Sequence, residues 1–159
     1  MHSKELFKIF ESDRDNSLLY QINFTENLLR TIMKRRFVNA KLNITPEQLM
    51  ILSYLDDQNK GVIMQEISDI LHRDNSAITR AIDTLLEKKY VEKSSIEGDR
   101  RKKMIFLTEE GKNVYLKAKA IAAVHVQEAL EGLSKKNISE MFVYLNIIQE
   151  NMIKLKEEL

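Results

Sequence analysis

The chain has 159 residues, 25 basic against 24 acidic (formal net charge +1), with 43% hydrophobic and 31% charged residues, enough for one folded domain or two fused halves around a sizeable core. One proline and four glycines leave little room for a turn-rich β fold, and the absence of cysteine removes disulfides, thiolate zinc sites, iron–sulfur clusters and thiol redox chemistry. No apolar run approaches the roughly 20 residues that span a bilayer, and the start, His2-Ser3-Lys4-Glu5, lacks a secretory signal, so a cytoplasmic, mainly helical protein is expected.

Leu18, Ile22, Thr25, Leu29 and Ile32 recur at spacings of four and three, which predicts one stripe of a long helix over residues 17–41. Its end carries Arg30, Lys34, Arg35, Arg36 and Lys41, cations that suit the C-terminal pole of a helix. Ahead of it, Leu6, Phe7, Ile9 and Phe10 fit either a short amphipathic helix or a mobile end. Thr45-Pro46-Glu47-Gln48 opens a second helix, with a capping hydroxyl, a proline at the first position and the glutamine of a capping box. Leu49, Leu52 and Leu55 are its apolar side, and Asp56-Asp57-Gln58-Asn59-Lys60-Gly61 its terminating turn.

Gly61-Val62-Ile63 fits a short strand, followed by a helix over 64–71 whose buried side is Met64, Ile67, Ile70 and Leu71. The polar stretch His72-Arg73-Asp74-Asn75 is a turn, and a helix over 76–88 follows with Asp74 or Asn75 as cap. The period then drops to two: Val91, Lys93 and Ser95 alternate with Glu92, Ser94 and Ile96. A turn at Glu97-Gly98-Asp99-Arg100-Arg101 and the run Met104-Ile105-Phe106-Leu107 complete a hairpin. Thr108 caps a helix over 109–130. The last helix starts at Ser134 and carries Ile138, Met141, Leu145, Ile148, Met152, Leu155 and Leu159 as a heptad-like seam.

Helix, helix, short turn, helix, hairpin is the order of a winged helix-turn-helix. On the helix over 76–88, Ile78, Ala81, Ile82 and Leu85 share one face, and Asn75, Ser76, Thr79, Arg80 and Asp83 the other. Short hydroxyls and amides let a helix enter a major groove, and an arginine can bridge O6 and N7 of guanine. A solvated face is the ordinary reading of such a pattern in isolation. Here it adjoins a hairpin tip, Asp99-Arg100-Arg101-Lys102-Lys103, whose four successive cations suit phosphates or a minor groove. Arg73, in the turn, joins the candidates for DNA contact.

Asp99-x-Arg101, followed by Ile105-x-Leu107-Thr108-x-x-Gly111, resembles the wing signature of the MarR family (multiple antibiotic resistance regulators). Asn75-Ser76-Ala77-Ile78-Thr79-Arg80 and Leu85-x-x-Lys88 resemble its recognition helix. The resemblance implies a dimeric transcriptional regulator, usually a repressor, joined through its terminal helices and released from DNA by a small aromatic ligand. Carried over by position, Ser76, Thr79 and Arg80 face the major groove, and Arg101 is the wing arginine, oriented by Asp99. Lys89 stands where the family commonly has a glycine, and Lys93 where it commonly has an arginine, which leaves the helix end open and weakens one phosphate contact.

Three segments are therefore expected: 1–44 and 109–159 for dimerisation, and 45–108 as a winged helix-turn-helix binding double-stranded DNA at an imperfectly palindromic operator. The N-terminal stripe (Leu18, Ile22, Leu29) and the C-terminal seam (Ile138, Met141, Leu145, Ile148, Met152) both need burial, which favours a homodimer over packing within one chain. Tyr20, Phe24, Met50, Tyr54 and Tyr115 are ordinary core or, less favoured, the lining of an effector pocket. His2, His72 and His125 are dispersed, Ser53, Ser94 and Ser95 lack a nucleophile elbow, and no glycine-rich phosphate loop is present. No metal, cofactor or enzymatic activity is expected. A winged-helix module that binds only protein is the competing reading, disfavoured by the basic hairpin tip.

Overall fold

The computed structural model describes residues 17–96 and 99–158, the side chains of 96 and 99–102 excepted. The amphipathic segment at Leu6–Phe10, the hairpin turn at Glu97-Gly98, and Leu159 lie outside the described residues. Among those described, the elements in chain order are α1 (Leu18–Asn39), α2 (Pro46–Gln58), β1 (Val62–Ile63), α3 (Met64–Ile70), α4 (Asn75–Glu87), β2 (Val91–Ile96), β3 (Asp99–Leu107), α5 (Glu109–Ala129) and α6 (Lys135–Glu157). They form two compact units, Met1–Ala123 and Val124–Leu159, with the break inside α5.

Local chemistry fixes most boundaries in the first unit. The Ser17 hydroxyl accepts from Tyr20 N at 3.4 Å and starts α1. At α2, Gln48 N donates to Thr45 Oγ1 and Thr45 N donates to Gln48 Oε1, each at 3.1 Å, with Pro46 at the first helical position. The core joins Phe37 of α1, Ile51, Leu52 and Leu55 of α2, and Ile78, Ile82 and Leu85 of α4 to Val62 and Ile105 of the sheet. Each such side chain contributes about 1.5–3 kcal/mol through burial. The strands form an antiparallel sheet in the order β1-β3-β2, with Val62 opposite Ile105 and Val91 opposite Leu107.

Several helices end without glycine. Lys41, Asn59, His72 and Lys89 all take positive φ, between 47° and 60°. After α1, α3 and α4 the chain closes with the paired 6→1 and 5→2 bonds of a Schellman turn, such as Tyr90 N to Leu85 O and Lys89 N to Leu86 O, both 2.9 Å.

The α1 stripe of Leu18, Ile22, Leu29 and Ile32 is exposed, and Met33 and Phe37 are the residues of that helix that reach the core. Three expectations are adjusted. Ile70 is 55% exposed. In a helix as short as α3 only the Met64–Ile67–Leu71 edge meets the core, and Ile70 stands roughly 90° round from it. The helix α4 starts at Asn75, one residue early, after an Asp74 whose side chain makes no capping bond. Finally, Asp99, Arg100 and Arg101 belong to β3 rather than to the turn.

In the second unit, Ser134 and Asn137 form a capping box at 3.1 Å in both directions and start α6. Gly132, at φ 86°, makes the preceding turn in backbone space that glycine alone enters freely. No side chain of α6 is buried among the described residues. Across all described residues, no helix is long and apolar enough to cross a membrane.

Candidate nucleic-acid interface

The short helices α3 and α4, joined by residues 71–74, form the helix-turn-helix. Ile78, Ala81, Ile82 and Leu85 are buried on one side of α4, while Asn75, Ser76, Arg80 and Asp83 are exposed on the other. Arg80 and Arg73 are exposed, and their guanidinium groups make no hydrogen bond or ion pair among the described residues. Thr79 is half-buried; its hydroxyl donates to Asn75 O at 2.7 Å and lies 3.2 Å from Met64 Sδ. It therefore faces outward as an acceptor rather than a donor.

Two polar residues not singled out in the sequence, Gln65 and Asp69, complete the surface of α3. Gln65 Nε2 donates to Asp69 Oδ1 at 2.7 Å, and Gln65 Oε1 accepts from Asn75 Nδ2 at 3.2 Å. An i,i+4 polar pair on a helix is too common a pattern to mark them from sequence.

The strands β2 and β3 form the wing. Lys93 Nζ lies 3.1 Å from Asp83 Oδ1, so the lysine that stands where the family commonly has an arginine pairs with the polar face of α4 and ties the wing to it. Further along, Lys103 Nζ donates to Ser95 Oγ at 2.6 Å. The pairing passes from Ser95 opposite Lys103 to Ile96 opposite Asp99, which leaves residues 100–102 as an irregular bulge in β3. The backbone of Asp99, Arg100, Arg101 and Lys102 thus belongs to the wing, and the contacts expected of their side chains lie outside the described residues.

The base of the wing is locked where α4, β2 and α5 meet. The Thr108 hydroxyl lies 2.8 Å from Lys89 O and 3.0 Å from Tyr90 O, and accepts from Gly111 N at 3.0 Å. A Cβ on Gly111 would stand 1.9 Å from Tyr90 O, so only glycine admits this approach. Lys88 Nζ donates to Asn43 O at 2.6 Å, and partial burial pulls its pKa below the usual lysine value, against the raising effect of Glu87.

The other candidates are placed as follows. Leu18, Ile22 and Leu29 on α1 are exposed; on α6, Met141, Leu145 and Met152 are exposed and Ile138 and Ile148 half-buried. Of the aromatic set, Tyr115 is buried with its hydroxyl 3.2 Å from Ser53 Oγ, and Tyr54 packs half-buried against the core. Phe24 and Met50 are exposed, and Phe24 stacks on Tyr20 at 5.9 Å. A polar cleft lies beside Asp56, Lys60, Phe106 and Lys112, and none of these aromatic candidates lines it. His125 is buried, and among the described residues no cluster of histidines and acids could hold a metal.

Comparison with known proteins agrees with this geometry. The MarR family model matches residues 44–103, which span α2, the helix-turn-helix and most of the wing. An uncharacterized HTH-type transcriptional regulator, YybA of Bacillus subtilis (strain 168), is 24% identical over 137 residues, covering 86% of this chain and 89% of its own. Among solved structures, the transcriptional regulator SlyA is 29% identical with a TM-score of 0.77, over 85% of this chain and 93% of that one. A MarR/EmrR family regulator from Acinetobacter sp. ADP1 is 28% identical with a TM-score of 0.79, over 90% and 99%. Motifs, fold and relatives agree: residues 44–103 match the MarR family model, and the winged helix-turn-helix they contribute to is similar to that of transcriptional regulators of this kind.

Proposed function

We propose that this chain is a homodimeric transcriptional regulator that binds an imperfectly palindromic operator through α4 and the wing. The observation that carries the reading is the polar face of α4. Asn75, Ser76 and Arg80 stand exposed on a helix whose opposite face is locked into the core, beside a hairpin whose far end reads Arg100-Arg101-Lys102-Lys103. A short polar face with one unpaired guanidinium is suited to a major groove, and the cationic run to phosphate. The exposed apolar residues of α1 and of α6 support dimerisation, since each helix leaves a long apolar face to water.

Repression relieved by a small aromatic ligand is the finer part of the proposal and rests on the family resemblance; action in the cytoplasm is proposed with it. A gel shift against genomic fragments at several salt concentrations tests DNA binding. Fragments retained at moderate salt and released by aromatic acids would support the whole proposal. Equal, weak retention of every fragment would count for a winged-helix module that binds protein instead.

A further inference from the structure

Three side chains along the helix-turn-helix form a relay whose hydrogen-bond polarity is fixed from one end. Asp69 is a carboxylate and can only accept. Gln65, one turn earlier on α3, donates Nε2–H to Asp69 Oδ1 at 2.7 Å. With its nitrogen committed, Gln65 turns Oε1 the other way, and that oxygen accepts from Asn75 Nδ2 at 3.2 Å. Asn75 is the first residue of α4, exposed on the face that carries Ser76 and Arg80. An amide that donates inward holds its carbonyl oxygen away from that bond.

We infer that Asp69, acting through Gln65, fixes Asn75 as a hydrogen-bond acceptor toward DNA, so that Asn75 reads the exocyclic amino group of an adenine. Oδ1 accepts from N6, and the second N–H of Nδ2 is left to donate to N7 of the same base, the bidentate pairing of asparagine with adenine. Without the relay the amide can turn over and offer a donor to the O6 of guanine. All three side chains are exposed, so water competes with the relay in free protein; exclusion of water at a DNA interface strengthens it. Asp69 and Gln65 are positioning residues, Asn75 the reader. The inference rests on α4 being the recognition helix.

The test uses duplexes selected from random sequence by the unchanged full-length protein. Each adenine in turn is replaced by purine, which removes only the N6 amino group. One position per half-site should lose about tenfold in affinity, and Asn75→Ala should abolish that dependence. Asp69→Asn, whose amide lets Gln65 turn either way, should cut the preference for adenine over guanine at that position about tenfold. Asp69→Glu, still acceptor-only, should keep most of the preference, and thermal unfolding of each variant is followed alongside. Retention of the full adenine preference by Asp69→Asn would overturn the relay and leave the recognition helix standing. If the unchanged protein selects no duplex at all, the recognition-helix reading and the relay fall together.

Discussion

Lys89 closes α4 at φ 60°, where an L side chain meets its own carbonyl and glycine does not. The Schellman bonds through Lys89 and Tyr90 set where α4 stops and the wing begins. Lys89→Gly should therefore stabilise the fold by about 0.5–1 kcal/mol, read as a higher denaturant midpoint at unchanged slope. Gly111→Ala should do the reverse. Its methyl would press on the Tyr90 carbonyl, and a loss of about 2–3 kcal/mol is expected from the same measurement. Both positions were visible in the sequence as matches to, or departures from, a family motif. The reason for each was not, because the contact of Gly111 with Tyr90 spans 21 residues of chain and only the folded backbone brings them together. Gln65 and Asp69 escaped notice for a similar reason: what distinguishes them is a bond to Asn75 across the turn.

At the scale of elements, the helices were legible where their signals were local. The capping boxes at Thr45/Gln48 and Ser134/Asn137 sit within four residues of sequence, and the amphipathic split of α4 follows its period directly. The wing was read less well. Asp99 to Arg101 have the polar composition of a turn, yet Asp99 pairs with Ile96 of β2 and β3 runs on through the bulge at 100–102. Asp83 and Lys93, on separate elements, are joined by an ion pair; exposed as it is, that pair contributes at most about 1 kcal/mol and serves to hold the wing against α4. A wing that grips phosphate should act on all DNA alike. Lys102→Ala is expected to weaken operator and random DNA to a similar degree and to reduce the slope of log affinity against log salt by roughly one unit. A loss confined to the operator would place Lys102 at a base instead.

For the whole molecule, the apolar faces of α1 and α6 set the expectation. Leu18 and Leu19 on one helix, and Phe142, Tyr144 and Met152 on the other, are all more than half exposed, and contiguous exposed apolar surface marks an interaction site. Static light scattering should give twice the mass of one chain. Leu145→Asp combined with Ile148→Asp should abolish the dimer; a well-folded monomer from the unmodified protein would contradict the account. A two-fold dimer also presents two recognition helices, so footprints should contain half-sites about one helical turn, roughly 10 base pairs, apart. The heptad seam of α6 was plain in the sequence, but periodicity cannot say whether a seam is covered by its own chain or by another.

Arg80 bears most directly on whether this face of α4 reads DNA, because it is exposed, lacks a side-chain partner among the described residues, and stands beside Ser76 and Thr79. The measurement is the affinity of Arg80→Ala and of the unchanged protein for a selected operator and for random DNA, titrated at several salt concentrations. The account predicts a loss of about 1–3 kcal/mol on the operator, relaxed base preference at one position in each half-site, and little change on random DNA. Operator binding by Arg80→Ala as tight and as selective as that of the unchanged protein would contradict it.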